Sequence, residues 1–282
     1  MDHFCVITNR EKDTDKNVAR RIQEFLTAQG RSCMILGRLK GRSEGYTDAS
    51  QIPANVECCI CVGGDGTLIQ AAIDLIQRNI PLVGVNLGTL GFLTEVDISG
   101  LEHALLRLVH DDCTILHRMM LYGHVWKAGK SAYSNYGLND IVLARSGRSS
   151  LISVRVSLND RLIDTYIGDG VIVCTPTGST GYNLSAGGPI IEPEMDAITI
   201  TPICPHSLNK RTLVVSPDSV ITLELGGWKD DTTTAMVAFD GKEKDMLEFG
   251  DRVVLRRARE STSVVKLTDM SFFDIMRSKL GG

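Results

Sequence analysis

Residues 57–62, Glu-Cys-Cys-Ile-Cys-Val, run without a break into Gly63-Gly64-Asp65-Gly66-Thr67, and from there into apolar residues at helical spacing, Leu68, Ala71, Ala72, Leu75 and Ile76. A short apolar run, a glycine-rich turn and an amphipathic helix in that order form a β-turn-α unit, and such units build parallel sheets faced with helices. The neighbouring sequence repeats the alternation. His3 to Thr8 reads as a strand, and Asp13, Thr14 and Asp15 are candidate caps for a helix marked by Val18, Ile22, Phe25 and Leu26 and closed by Gly30. Ser32 to Leu36 reads as a second strand, and the polar, glycine-bearing stretch 37–55 as a mobile loop. Ile80 to Val85 is a further strand that ends in Asn86-Leu87-Gly88-Thr89-Leu90-Gly91-Phe92-Leu93, and Leu101, Leu105, Leu106 and Val109 mark one more helix.

Beyond about residue 113 helical periodicity fades. Short β-rich runs, 152–158, 170–174, 213–215, 220–225 and 253–256, are separated by turn residues, which is how a β-sandwich reads. The expected architecture is an α/β N-terminal domain over 1–97, a Rossmann-like open parallel sheet, followed by an all-β sandwich C-terminal domain over 98–268. A short terminal segment, 269–282, carries Phe272, Phe273, Ile275, Met276 and Leu280 and is expected to return to the first domain as a helix.

Composition narrows the partners. The formal net charge of −4 provides no electrostatic footprint for nucleic acid or an anionic membrane. No run approaches the ~18 apolar residues of a membrane span, and the charged N-terminus, with Asp2 and Arg10, lacks the apolar core of a signal peptide. Of the eight cysteines, three crowd into 57–62 without Cys-x-x-Cys spacing or an answering pair, so they read as small hydrophobes on a buried strand. Unpatterned thiols in this number fit a reducing cytoplasm. His103, His110, His117 and His124 are evenly spaced, but Asp111-Asp112-Cys113-Thr114 breaks any helix between them, so no shared metal site is expected.

The chemistry is concentrated in three glycine-bearing segments. At 63–67 a strand ends and a helix begins, where backbone N–H groups and the helix dipole favour a phosphate. Asp65 is the unusual member, since a carboxylate beside phosphates either holds a metal or takes a proton from an incoming nucleophile; the alternative is a tight turn with Asp65 as a cap. No Gly-Lys-Ser/Thr sequence follows, which argues against a Walker-type loop. The 86–92 turn lies at the same carboxyl edge of the sheet, with Phe92 open to core packing or a ligand. The third segment runs from Gly168-Asp169-Gly170 through Thr175-Pro176-Thr177-Gly178-Ser179-Thr180-Gly181-Tyr182-Asn183 to Ser185-Ala186-Gly187-Gly188-Pro189. Its hydroxyls, glycines and tyrosine suit a polar, flat ligand, or a long surface loop.

Taken in order, GGDGT at 63–67, NLGTLGFLTE at 86–95, LND at 138–140, TPTGSTGYNLSAGGPI at 175–190, TPICPHSL at 201–208 and FDG at 239–241 resemble the NAD kinase family over nearly the whole chain. The resemblance implies a phosphotransferase that moves a phosphoryl group from ATP with Mg2+, or in some members from polyphosphate, to the adenosine ribose 2′-hydroxyl of NAD. It also implies an N-terminal α/β domain, a C-terminal sandwich that binds NAD, substrate in the cleft between them, and a homodimer or homotetramer. Carried over by motif, Asp65 resembles the catalytic base, and Gly63, Gly64, Gly66 and Thr67 the phosphate loop. Phe92 resembles an aromatic residue near the adenine, Asn139 and Asp140 the pair that holds adenine and its ribose, and Ser179, Thr180 and Gly181 the adenine wall. Asp169, Tyr182 and Ser185 resemble contacts to the nicotinamide half, and Asp240 an acidic residue at the margin. No side chain is expected to ligate a metal directly.

Two positions depart from the family pattern: Asp140 stands where Glu is usual and Gly181 where Ala is usual, which implies a roomier adenosine site. Two other readings share part of the pattern. A diacylglycerol-type lipid kinase carries GGDGT but has no use for the polar 175–188 cluster, and a non-catalytic NAD sensor would be expected to have lost Asp65.

Overall fold

The structure is a computed structural model and describes residues 1–9, 11–36, 47–88, 91–147, 151–227 and 233–280. The elements open with β1 (His3–Thr8), α1 (Asn17–Ala28), β2 (Ser32–Ile35), β3 (Cys58–Gly63), α2 (Asp65–Asp74), β4 (Leu82–Asn86) and α3 (Leu101–Val109). The strands β5 (Thr114–Lys127), β6 (Lys130–Gly137), β7 (Asp140–Arg145), β8 (Ile152–Leu158), β9 (Arg161–Gly168) and β10 (Gly170–Cys174) follow. After them come α4 (Tyr182–Ser185), β11 (Ile198–Ile203), β12 (Leu213–Val215), β13 (Ile221–Gly226), β14 (Ala235–Phe239) and β15 (Lys242–Leu247). The chain closes with β16 (Arg252–Lys266) and α5 (Phe272–Leu280).

It divides into one unit of residues 1–118 with 260–282, and a second of residues 119–259. This differs from boundaries at 97/98 and 268/269. The physical reason is burial: α3 packs Leu101, Ala104, Leu105 and Leu108 into the first unit's core, and Val265 and Leu267 join the same core from the end of the chain. Residues 260–282 belong to the first unit.

In the first unit the strands run parallel in the order β2-β1-β3-β4, and Val264 of β16 pairs with Leu82 of β4. β3 is central and buried along its length, so its Cys58, Cys59 and Cys61 are core residues on a strand covered on both faces. Cys58, Ile60 and Val62 share a core with Ile22 and Leu26 of α1 and with α3, while α2 packs on β3 and β4. Order 2-1-3 makes the gap between β1 and β3 a topological switch point, with connections leaving in opposite directions.

The start of α1 is held by Asp13, whose buried carboxylate accepts from Thr8 Oγ1 at 2.7 Å and from the backbone of Val18 at 2.9 Å and Ala19 at 3.2 Å. That places an anion where unpaired N–H groups and the dipole favour one. Gly30, at φ +75°, closes the helix, with Arg31 N donating to Leu26 O as in a Schellman cap.

The second unit is antiparallel. One sheet runs β12-β11-β10-β7-β14-β15, and the other joins β8, β9, β13 and the first part of β16. Alternate residues of both sheets, among them Ile141, Leu143, Val154, Val156, Val171, Val173, Leu223, Val237 and Phe239, meet in one core, which makes the unit a sandwich. His103 lies on α3 and His110 at its end, whereas His117 and His124 lie on β5, so the even spacing joins no common face. Residues 37–46 of the stretch read as a mobile loop, and Thr89 and Leu90 of the 86–92 turn, lie outside the described residues; Ala49–Gln51 form one 3-10 turn.

Candidate functional site

The first cluster sits at the carboxyl edge of the parallel sheet. β3 ends at Gly63, Gly64 is the extended N-cap of α2, and Asp65 is the first helical residue. Gly63 must lack a side chain, because a Cβ there would collide with Thr67 Oγ1. Thr67 is buried, and its N–H donates to Gly64 O at 2.9 Å, closing the turn. At Gly66 a Cβ would meet nothing within 4 Å, so this part of the turn is open.

Asp65 ties this turn to the next one. Its Oδ1 accepts from Leu93 N at 3.2 Å, Thr94 N at 3.0 Å and Thr94 Oγ1 at 2.9 Å, and its Oδ2 accepts from Phe92 N at 2.8 Å. A carboxylate offers about four acceptor sites, roughly two to each oxygen. Oδ1 is therefore saturated, and Oδ2 keeps capacity for one further proton donor. Gly91 makes this approach possible, since a Cβ on it would overlap the Asp65 carboxylate. Thr94, fully buried, both donates to Asp65 and accepts from Gly91 N at 3.2 Å. Thr94 and Gly91 lie within the NLGTLGFLTE segment, but their service to Asp65 has no signature in spacing.

Phe92 is engaged from the chain terminus: its ring centroid is 6.2 Å from that of Phe272 on α5, and Lys279 Nζ is 5.1 Å from its centre. The ring is half-buried, so part of it stays accessible.

In the second unit, Asp240 organises the Leu138-Asn139-Asp140 turn. Its Oδ2 accepts from Leu138 N at 2.7 Å, and its Oδ1 from Asn139 N at 2.8 Å and Asp140 N at 2.9 Å. Asp240 itself sits at φ +47° in the turn between β14 and β15. This carboxylate supports the turn from behind. Burial, and then the negative Asp240, push the Asp140 carboxyl up to about 7, and burial raises Asp240 to about 6 against the pull of its three backbone donors.

The 175–190 segment packs on this turn. Thr175 N donates to Asn139 O at 2.8 Å, Thr175 Oγ1 donates to Leu138 O at 2.6 Å, and Gly178 lies so close to the Asn139 backbone that no Cβ fits. Two buried atoms beside this junction, Asn139 Oδ1 and Thr177 Oγ1, have no hydrogen-bond partner. Unpaired buried polar atoms are costly and mark places where a ligand or water completes the set.

Ser179 is wholly buried, with its Oγ donating to Ile191 O and accepting from Ile191 N, each at 3.0 Å. Its hydroxyl thus fixes the loop instead of lining a pocket. Thr180 is half-buried, and Gly181, Tyr182 and Ser185 are exposed. Desolvation, then Cys204, Asp169 and Asp140, raise the Tyr182 phenol, which puts Tyr182, Asp169 and Asp140 in one electrostatic neighbourhood. Asp169 pairs with Arg145, its Oδ1 2.7 Å from Nε. Asn183 was missed as an organiser: fully buried, it donates to Ser179 O at 3.2 Å and Pro189 O at 3.0 Å and accepts from Thr201 Oγ1 at 2.6 Å.

A parallel sheet with a glycine turn and carboxylate at its switch edge, joined in one chain to a sandwich with a polar loop cluster, defines a nucleotide-handling protein of two units. The ATP-NAD kinase N-terminal domain matches residues 4–113 and the ATP-NAD kinase C-terminal domain residues 138–267. The chain is 44% identical to an NAD kinase of Lachnoclostridium phytofermentans, covering 100% of this chain and 99% of the relative. It is 40% identical to an NAD kinase of Lachnospira eligens, covering 99% and 100%. The fold matches yeast NADH kinase complexed with NADH at TM-score 0.85 and 23% identity, covering 100% of this chain and 88% of that one. It also matches an NAD kinase from Archaeoglobus fulgidus in complex with ATP at TM-score 0.77 and 23% identity, covering 99% and 97%. The chain belongs to the NAD kinase family.

Proposed function

We propose that the protein transfers the γ-phosphoryl group of ATP to the adenosine ribose 2′-hydroxyl of NAD, giving NADP and ADP. The observation that carries the mechanism is Asp65, held by four hydrogen bonds that leave Oδ2 able to accept one more. The hydroxyl proton passes to Oδ2 as the 2′-oxygen bonds to phosphorus and the bond between phosphorus and the bridging oxygen of ADP breaks. Oδ1 stays tied to Thr94 and holds the carboxylate in one orientation. The turn of Gly63, Gly64, Gly66 and Thr67 at the N-terminus of α2 receives phosphate through backbone N–H groups and the helix dipole.

In the sandwich unit, Asn139 and Asp140, with their turn held by Asp240, are assigned to the adenosine of NAD, and the unpartnered Asn139 Oδ1 supports the assignment. Thr180 and Gly181 are assigned to the neighbouring wall and Ser179 fixes the loop that carries it; by itself in the first unit, Phe92 offers an aromatic edge for a base. Asp169, Tyr182 and Ser185 are assigned to the nicotinamide half. Mg2+ enters with ATP as part of the donor; among the described residues no group of three or more His, Cys, Asp or Glu is set to hold a metal. The family resemblance supports a homodimer or homotetramer. No described helix is long and apolar enough to cross a membrane. The free thiols of the cysteines fit a reducing, cytoplasmic setting.

The test is to incubate the protein with NAD, Mg2+ and either ATP or polyphosphate, and to detect NADP with an NADP-specific dehydrogenase. NADP is expected with ATP. Absence of NADP with both donors, while NAD still binds by calorimetry, would favour a sensor.

A further inference from the structure

Resting on that reading, we propose that Lys12 and Asn86 complete a phosphate subsite around Gly64, contacting the transferring end of the donor. Neither was singled out for this role by its sequence position. The β1 and β3 carboxyl ends flank the switch point of the sheet, where ligands collect outside the strands. They are joined there directly, because Asn9 N, just past β1, donates to Val62 O of β3 at 2.9 Å. The turn after β1, closed by Lys12 N and Asp13 N on Asn9 O, carries the Lys12 side chain toward the glycine turn. Its Nζ lies 3.3 Å from where a Cβ on Gly64 would stand, and Asn86 Oδ1 lies 3.9 Å from the same point.

Two observations point to an anion. Lys12 forms no ion pair among the described residues, although its ammonium sits beside the first residues of α2, where the helix dipole already disfavours a cation. An unneutralised cation in that place gains most from a ligand bearing negative charge. Independently, Asn86 is only 4% exposed and its Nδ2 has no hydrogen-bond partner, while its Oδ1 is occupied by Gly88 N at 3.1 Å. A buried amide donor without a partner is costly and is relieved by an acceptor oxygen. The Lys12 ammonium and the N-terminus of α2 meet at Gly64, Asn86 stands beside them with Oδ1 nearest and its unpaired Nδ2 on the same amide, and Asp65 directs its carboxylate to the 92–94 backbone. The set suits a phosphoryl group that gains charge on its leaving oxygen, stabilised by Lys12 as a point charge.

The experiment compares wild type, Lys12→Met, Lys12→Arg and Asn86→Ala in two readouts: steady-state kinetics with ATP and NAD varied separately, and thermal stabilisation by inorganic triphosphate without NAD. Lys12→Met is expected to lower kcat/KM for ATP about 10- to 100-fold, the scale of one lost charge-assisted hydrogen bond, with KM for NAD within about twofold. Triphosphate should stabilise the wild type and much less so Lys12→Met, and Lys12→Arg should recover most of both effects. Asn86→Ala should weaken triphosphate stabilisation while melting cooperatively. Wild-type values for ATP kinetics and triphosphate stabilisation in Lys12→Met would overturn the proposal. Should the wild type form no NADP while triphosphate stabilisation still depends on Lys12, the subsite stands and the reading of the reaction falls.

Discussion

Asp65 and Asp240 show one residue type used in two ways. Both accept several backbone hydrogen bonds, but Asp240 supports the 138–140 turn from within the sandwich, while Asp65 joins two turns at the sheet edge. The close approach at Asp65 depends on Gly91. Gly91→Ala is expected to displace the carboxylate and cut kcat at least tenfold, with far-ultraviolet circular dichroism unchanged; wild-type kcat would show that Asp65 needs no such seat. Asp140 yields a pH prediction. Its folded value is raised to about 7 by burial and by Asp240, above the ~4 of a free carboxyl, so the folded state binds the proton more tightly. Stability contributed by this group is present below pH ~4 and lost as pH rises toward 7. Asp140→Asn should therefore melt higher than the wild type at pH 7.5 by a few degrees, with the gap closing toward pH 4. A gap independent of pH would contradict the assignment.

At the scale of elements, the parallel sheet was legible because its strands are short apolar runs with punctuation. His3–Thr8 matches its expected bounds, and β3 and α2 meet at the glycine turn as read. In the sandwich, 152–158, 170–174 and 213–215 were legible for the same reason. β6 and β9 were not read as strands, because their half-exposed faces carry polar residues that break up the apolar run, as in Lys130–Gly137. The site was legible as motifs but not as roles. Ser179 and Asn183 sit in the same hydroxyl-rich segment as Thr180 and Tyr182, and only burial separates the loop's internal ties from its accessible groups. Asn183→Leu, which removes three ties at once, should weaken NAD binding by at least tenfold while leaving the Lys12-dependent triphosphate stabilisation intact. Unchanged NAD affinity would show that the 175–190 loop is not the NAD wall.

For the whole molecule, the chain order of the units has a consequence for folding. The sandwich core is drawn from residues within 119–259, whereas the α/β core takes Val265 and Leu267 from the far end of the chain. A fragment of residues 119–259 is expected to unfold cooperatively by itself, and a fragment of residues 1–118 to lack a cooperative transition. Independent folding of 1–118 would mean that the returning segment is dispensable to the core.

Asp65→Asn separates the proposed base for transfer to the NAD hydroxyl from a purely structural tie between two turns. The variant keeps the size and most hydrogen-bonding capacity of the side chain but cannot take the proton. Measured beside the wild type with NAD, ATP and Mg2+, it should form NADP about 10²–10⁴-fold more slowly, while NAD affinity by calorimetry stays within a few-fold. NADP formation at the wild-type rate in Asp65→Asn would contradict the account.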